Sequence, residues 1–567
     1  MSRLRHSPGS STAEGISRSV ALVLAASTLG LLSVAGTWPT RLSQVRTRGW
    51  LGSTLSIGLF VVVAATATAA PPTPADELVA RAKERMMLMR APSPGTPGQA
   101  GVMTPAQFDA AIDSTWGPGL PTTRKLEIFD QFWTTVDREL ATFQGIEDVD
   151  WSALRDQYRP EIAAGVSRGR FAAIMNHLSL VLRESHTQAI DGLVNTGTLP
   201  RPGVPLLWQG AQFPNTFGAC VTAQDDGSAL VFQVSPGHPL GLEPGDRVLG
   251  FEGRPWTDWY PELLAAELPL FPLYWGSSPS SFHDSWVSSG PMNWHLFDTI
   301  DVLKHDTGNT VHLSTAPLQS LPSSPMCSEQ PDLPGVAKPR MLETNFQNVV
   351  SWGVLPGTDI GYIYVWGWFG DAGPKFTQAI DELTQQQQTD GLIIDFRFNL
   401  GGNMFLSDTG LGMLFDQPEP TIGFAERARP DDHFKMQMAT PPAVYAIDMF
   451  DGQFDPRSYD KPIAVLTGPG AVSAGDQVAL RMTYHPRAHT FGKSTATAFN
   501  GPRTVGLDPG WFARVARADA YRVEHPKNYL THDEFVVDEP VWLTPDDAAA
   551  GRDTAVEAAV DWITNGG

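Results

Sequence analysis

The run Gly470-Ala471-Val472-Ser473-Ala474-Gly475-Asp476 sets one hydroxyl among small residues. Ahead of it, Pro462-Ile463-Ala464-Val465-Leu466 reads as a buried strand, and behind it Gln477 to Met482 carries a helical pattern. Ser473 therefore stands where a strand turns into a helix. The first N–H groups of a helix have no internal partners, and the positive end of its dipole favours an anion there. A hydroxyl at such a turn, with a base nearby, is a candidate nucleophile. Taken alone it reads more readily as an ordinary helix N-cap.

A second strand, Gly391-Leu392-Ile393-Ile394-Asp395, runs through Arg397 and Asn399 into the pair Gly401-Gly402. Glycine lets the backbone approach a neighbour closely or take a positive φ. Two strand ends, one presenting Ser473 and one presenting bare N–H groups, could face each other across a cleft. Acyl transfer needs that arrangement.

These residues resemble the tail-specific (carboxy-terminal processing) serine peptidases. The resemblance rests on the Asp395–Gly402 strand followed by Ser473-Ala474, and it extends to other segments. Leu182-Arg183-Glu184-Ser185-His186-Thr187 is similar to that family's Leu-x-Asp-x-His-Thr, with Glu184 in place of Asp. Pro236 to Gly253 looks like its PDZ-type module. Glu539-Pro540-Val541-Trp542-Leu543-Thr544-Pro545-Asp546 is similar to its late Glu-Gly-x-Gly-Ile-x-Pro-Asp, with both glycines changed.

The family has two catalytic designs. One pairs the serine with a lysine in Phe-Gly-Lys-Gly, but the ungapped equivalent here is Ala498, which cannot be a base. Lys493 in Phe491-Gly492-Lys493 serves only if the alignment is shifted. The tricorn-like branch uses a histidine with a serine beside it and a late acid. Ser185-His186 matches that pair, and the resemblance makes Glu539 the acid, with Asp538 or Glu534 as alternatives. His186 is then expected to take the Ser473 proton and return it to the leaving amine, as a triad histidine does. Glu539 would orient the site, Ser185 would relay between acid and imidazole, and the N–H groups of Gly401 and Ala474 would hold the oxyanion.

A chain of 567 residues exceeds a single core and predicts several domains. The net charge is −21, and six Arg against one Glu before Ala70 make the remainder more acidic still. Such a body argues against nucleic acid or an anionic membrane as partner. Residues 1–69 read as a leader. The apolar stretch Leu55 to Ala70 follows Arg46 and Arg48 and ends in Ala67-Thr68-Ala69-Ala70, an Ala-x-Ala-like cleavage site. A second apolar run, Val20 to Gly36, is either a membrane anchor or an untranslated stretch ahead of a start nearer Val45; the second account is preferred. The protein is accordingly expected in the periplasm or outside the cell. Cys220 and Cys327 are the only cysteines, and they flank the PDZ-like core. Pairing and two separate thiols are equally consistent with their positions.

The elements that must position these residues follow in order. Residues 70–103 form a linker, with Pro and Gly dense in 92–101. Leu126, Phe129, Trp133, Val136 and Leu140 recur at helical spacing, as do Phe171, Ile174, Leu178 and Leu182. They predict a helical domain over 104–190 that contributes His186. A PDZ-like β module is expected over 203–318, interrupted at 268–293 by an aromatic- and Ser-rich insertion near the substrate path. A catalytic α/β domain follows over 340–567; the resemblance makes it of the crotonase-like type. Gly492-Lys493-Ser494 lacks the first glycine of a phosphate loop, and Pro486 separates His485 from His489, so neither metal nor cofactor is expected. The expected activity is hydrolysis of protein or peptide substrates through an acyl-enzyme. The alternative is a non-proteolytic protein binding an apolar ligand or a peptide on the same scaffold, as retinoid-binding relatives of this fold do.

Overall fold

The computed structural model describes residues 105–195, 206–208, 217–272, 276–320, 349–444 and 459–567. The expected leader, the linker and Cys327 lie outside the described residues. No described helix is long and apolar enough to cross a membrane.

Four helices come first: α1 (Pro105–Trp116), α2 (Thr122–Glu139), α3 (Trp151–Ala164) and α4 (Arg168–Leu180). The 3–4 spacing along α2 puts Phe129, Phe132 and Val136 on one buried face. Trp133, at the edge of that face, stacks on Trp151 at 6.1 Å. Asp150 starts α3 by accepting the Ala153 N–H at 2.9 Å, and Ser167 starts α4 by accepting the Arg170 N–H at 3.0 Å. Beyond α4 the chain turns at Arg183 (φ 50°) and enters strand β1 (Gln188–Asp191). His186 lies in that turn.

A second unit has its own core. Short β2 (Leu206–Trp208) precedes β3 (Ala219–Ala223), β4 (Ala229–Val234), β5 (Arg247–Phe251) and β6 (Arg254–Pro255). Then come α5 (Trp256–Ala265), β7 (Leu270–Pro272), α6 (Pro279–Ser289), β8 (Thr299–Leu303) and β9 (Thr310–Ser314). The sheet order is β3-β4-β5-β8-β9 with β6 on β5, all antiparallel, while β2 pairs with β7 in parallel. The described part of 268–293 belongs to this core. Phe282 and Trp286 are buried with Trp256, and Tyr260 stacks on Trp286 at 5.4 Å.

The last unit alternates strand and helix: β10 (Val350–Val354), β11 (Ile360–Val365), α7 (Ala372–Asp381), β12 (Gly391–Asp395), α8 (Asp408–Gly412), β13 (Pro420–Arg427) and β14 (Met436–Val444). It continues with β15 (Ile463–Thr467), α9 (Ala474–Met482), β16 (Ala488–Gly492), β17 (Gly501–Val505), β18 (Trp511–Arg522), α10 (Pro545–Ala550) and α11 (Thr554–Thr564). β11, β12, β15 and β16 run parallel, with β10 antiparallel at the edge. β12 and β15 are buried along their whole length, which is why they read as unbroken apolar runs. A second sheet, β1-β18-β13-β14 with β17 on β18, takes in β1 from the helical region. That pairing is what carries the His186 turn to the domain of Ser473. The whole is a multidomain α/β protein.

Candidate active site

Ser473 occupies the turn from β15 into α9 with φ 61° and ψ −118°. A side chain rarely adopts a positive φ, and such strain concentrates at functional sites. A sharp strand–turn–helix of this kind lifts a serine hydroxyl clear of the sheet. The buried Asp476 carboxylate fixes the turn by accepting the Ser473 N–H at 2.6 Å.

The loop beyond β12 meets this turn directly. Gly401 has φ 82°, and a Cβ built there would lie 2.6 Å from the Ser473 Cβ and 2.6 Å from the Val472 oxygen. Only a glycine backbone fits. The Val472 N–H donates to the Asn399 carbonyl at 2.8 Å, so the two segments are knitted together. The two N–H groups expected to hold an oxyanion differ in state. Among the described residues the Ala474 N–H has no protein acceptor. The Gly401 N–H donates to Asn399 Oδ1 at 3.0 Å and is engaged in this structure. Asn399 is anchored in turn by its Nδ2, which donates to the Val365 carbonyl at 2.9 Å.

His186 is buried. Its backbone N–H donates to Glu184 Oε1 at 2.7 Å, and its Nδ1 stands 3.6 Å from the same oxygen. Burial raises the Glu184 carboxyl, but hydrogen bonds from His186 and Thr187 and the charge interaction with the His186 imidazole outweigh it and hold the pKa down to about 2. Burial lowers the His186 pKa below its ordinary value; Glu184 opposes that shift and the Arg514 charge adds to it. His186 is therefore neutral near pH 7, as a general base must be.

A short segment joins the two halves. The Ala496 N–H donates to the Ala471 carbonyl at 2.9 Å. The Thr497 and Ala498 N–H groups donate to Asp476 at 2.8 and 3.1 Å. Asn500 Nδ2 then donates to Glu184 Oε1 at 2.9 Å. Among the described residues no hydrogen bond joins His186 to Ser473. Catalytic hydrogen bonds are often long until substrate binds.

The late acids are not brought to His186. Glu539 is exposed on a bridge to Phe491, with its carboxylate 4.0 Å from His489 Nε2. Asp538 accepts both the N–H and the hydroxyl of Thr490 at 2.8 Å. Glu534 accepts the Ser280 N–H at 2.8 Å. The acid beside the imidazole is Glu184, which the sequence marked only as a departure from a motif. The Ser185 hydroxyl is buried without a partner and bridges nothing to Glu539, while its carbonyl accepts from Gln188 and Arg514. Lys493 is turned away from Ser473. It donates to the Ala223 carbonyl and to Asp284 Oδ2, each at 3.1 Å. Burial lowers its pKa, but Asp284 and Asp225 outweigh that and raise it, so it stays a cation. Among the described residues no cluster of His, Cys, Asp and Glu could hold a metal ion.

Residues 359–530, which contain both Gly401 and Ser473, match the family model described as Peptidase family S41. The region that holds the Ser473 turn is thus similar to peptidase family S41. The protein is a serine-type peptidase by that match, and its fold is shared with mature CPAF. Mature CPAF is 14% identical, with 79% of this chain and 98% of that chain covered and a TM-score of 0.51. Mature CPAF complexed with lactacystin is 12% identical, covering 78% and 97%, at 0.51. The photosystem II D1 C-terminal processing protease is 17% identical, covering 74% and 92%, at 0.38. No curated protein matches the chain significantly.

Proposed function

We propose that this peptidase is an exported serine endopeptidase in which Ser473 is the nucleophile, His186 the general base and Glu184 the acid that orients it. The observation that carries the reading is the strained Ser473 turn packed against the Gly401 backbone. As Ser473 Oγ attacks the scissile carbonyl, its proton passes to the imidazole of His186. The tetrahedral oxyanion is held by the Ala474 N–H, and by the Gly401 N–H once Asn399 Oδ1 releases it. Collapse breaks the C–N bond, and the imidazolium returns its proton to the leaving amine. Water, deprotonated by the same histidine, then hydrolyses the acyl-enzyme.

Glu184 is preferred to Glu539 because it is buried, ionised and within 3.6 Å of His186 Nδ1. Glu184 Oε2 and His186 Nδ1 are both buried without a hydrogen-bond partner. The antiparallel unit over 217–320 is assigned as the PDZ-like module, which would hold a peptide by strand addition. Export to the periplasm or exterior is supported by the apolar run ending at Ala70. The test is hydrolysis of an unstructured protein by the wild type and by Ser473→Ala at equal circular dichroism. Loss of turnover supports the assignment; an active Ser473→Ala protein ends it.

A further inference from the structure

Asp476 is fully buried three residues after Ser473, on the first turn of α9. It accepts three backbone N–H groups: Ser473 at 2.6 Å, Thr497 at 2.8 Å and Ala498 at 3.1 Å. Two of those donors belong to residues with positive φ, Ser473 at 61° and Thr497 at 53°. Neither conformation is one a side chain favours, so each needs an external hold. The same carboxylate provides both. Past Ala498 the segment runs to Asn500, which donates to Glu184 beside His186.

We infer that Asp476 is a positioning residue: its carboxylate locks the strained nucleophile turn in register with the segment that leads to the Glu184–His186 pair. The inference rests on the reading of Ser473 as nucleophile. It gives a buried carboxylate a task that an N-cap alone does not need, because an N-cap interaction satisfies donors of one helix. Asp476 bridges two chain segments instead. Only the ionised form can accept at both oxygens without presenting a donor. Protonation puts an O–H against one of three N–H groups and frees that side of the clamp.

The charged groups on the elements round it have their own partners. Arg481 of α9 pairs with Asp408, Lys493 with Asp284, and Arg397 past β12 with Asp395 and Asp553. On the far side of Asn500 stand Glu184 and His186. Burial pushes the Asp476 carboxyl up to about 7, against the pull of its N–H donors.

The experiment follows labelling of Ser473 by a serine-directed peptidyl phosphonate across pH 5 to 8, for the wild type and Asp476→Asn, with melting temperature measured on the same samples. An amide cannot accept at both ends, so the turn should lose register, and displacement on the order of 1 Å costs about 100-fold in rate. The expected result is a wild-type rate that falls through about pH 7 as Asp476 is protonated, with His186, whose pKa is lowered, adding its own loss further down. In Asp476→Asn the rate drops about 100-fold and only the loss at lower pH remains. Labelling of folded Asp476→Asn at the wild-type rate overturns the inference. So does a wild-type rate that stays level from about pH 8 to about pH 6, a measurement that stands even if the variant does not fold. A wild type that is never labelled at Ser473 refutes the nucleophile itself, and the inference with it.

Discussion

Replacing Gly401 by Ala tests the contact on which the site depends. The added Cβ would meet the Ser473 Cβ and the Val472 oxygen at 2.6 Å and the Ala474 nitrogen at 2.9 Å, where ordinary contact begins at 3.4 Å. The turn must therefore open by roughly 0.8 Å, close to the misplacement that costs about 100-fold in rate. Holding a side chain at φ 82° adds about 1–2 kcal/mol, and overpacking adds about 1–3 kcal/mol. Together they predict a loss of about 2–5 kcal/mol, or a melting temperature lower by roughly 5–15 °C in a domain of this size. Gly506→Ala is the control, since a Cβ there meets nothing within 4 Å. Both variants are assayed for kcat/KM on a fluorogenic peptide and for thermal unfolding. If Gly401→Ala matches Gly506→Ala in both, the two segments do not form one site and the reasoning is wrong.

Four further outcomes are expected. Glu184→Gln should lower kcat by several orders of magnitude, as loss of a triad member does, while Glu539→Gln should stay within about threefold of wild type, as an exposed residue does; the reverse order in a peptidase assay would restore the late acid. Lys493→Ala should keep turnover but lower the melting temperature, because it strips the cation from buried Asp284; a folded, inactive Lys493→Ala would reinstate a lysine base. Arg397→Leu leaves Asp395 and Asp553 buried without their shared cation, at a cost of about 3–5 kcal/mol seen in denaturant; a loss under 1 kcal/mol would sink that account. Stability should fall as pH drops from about 6.5 towards about 5. Burial lowers the pKa values of His177, His186, His238, His485 and His532, so the unfolded chain takes up protons there that the folded chain does not, which outweighs Asp476 and Asp519, pushed up to about 7 by burial. At lower pH Glu184, held to about 2, continues the trend as its stabilisation is lost; a melting temperature that climbs as pH is lowered from about 6.5 to about 5 contradicts this sign.

Much of the frame was legible because it is local. Small residues punctuate the β15–α9 turn, and the pair Gly401-Gly402 follows an apolar strand, so the meeting of the two segments could be read from the sequence, although the strand itself ends at Asp395 and the glycines lie in the loop beyond it. The stripe on α2 gave its buried face for the same reason. What depended on direction was not legible. Glu539 sits on a backbone bridge to Phe491 that aims its carboxylate at His489, a matter of register between distant segments. The capture of the Gly401 N–H by Asn399 depends on one side-chain rotamer. The partners of Lys493 lie on the antiparallel unit, more than 200 residues earlier. The serine- and aromatic-rich stretch 268–293 was expected as an insertion near the substrate path; its Phe282 and Trp286 pack on each other in the core of the antiparallel unit, and its Ser277 N–H donates to the Ala496 carbonyl at 2.6 Å. The one available signal for Glu184 was its place two residues before His186, where a short turn can fold the acid back onto the imidazole.

The central claim is that Ser473 attacks substrate with His186 as its base. Its most direct measurement is mass-spectrometric mapping of the covalent adduct formed with a peptidyl phosphonate by the wild type, Ser473→Ala and His186→Ala, each shown to be folded. The account predicts one adduct, on the peptide containing Ser473, absent from Ser473→Ala and formed very slowly by His186→Ala. An adduct on another residue, or undiminished labelling of Ser473 in His186→Ala, would contradict it.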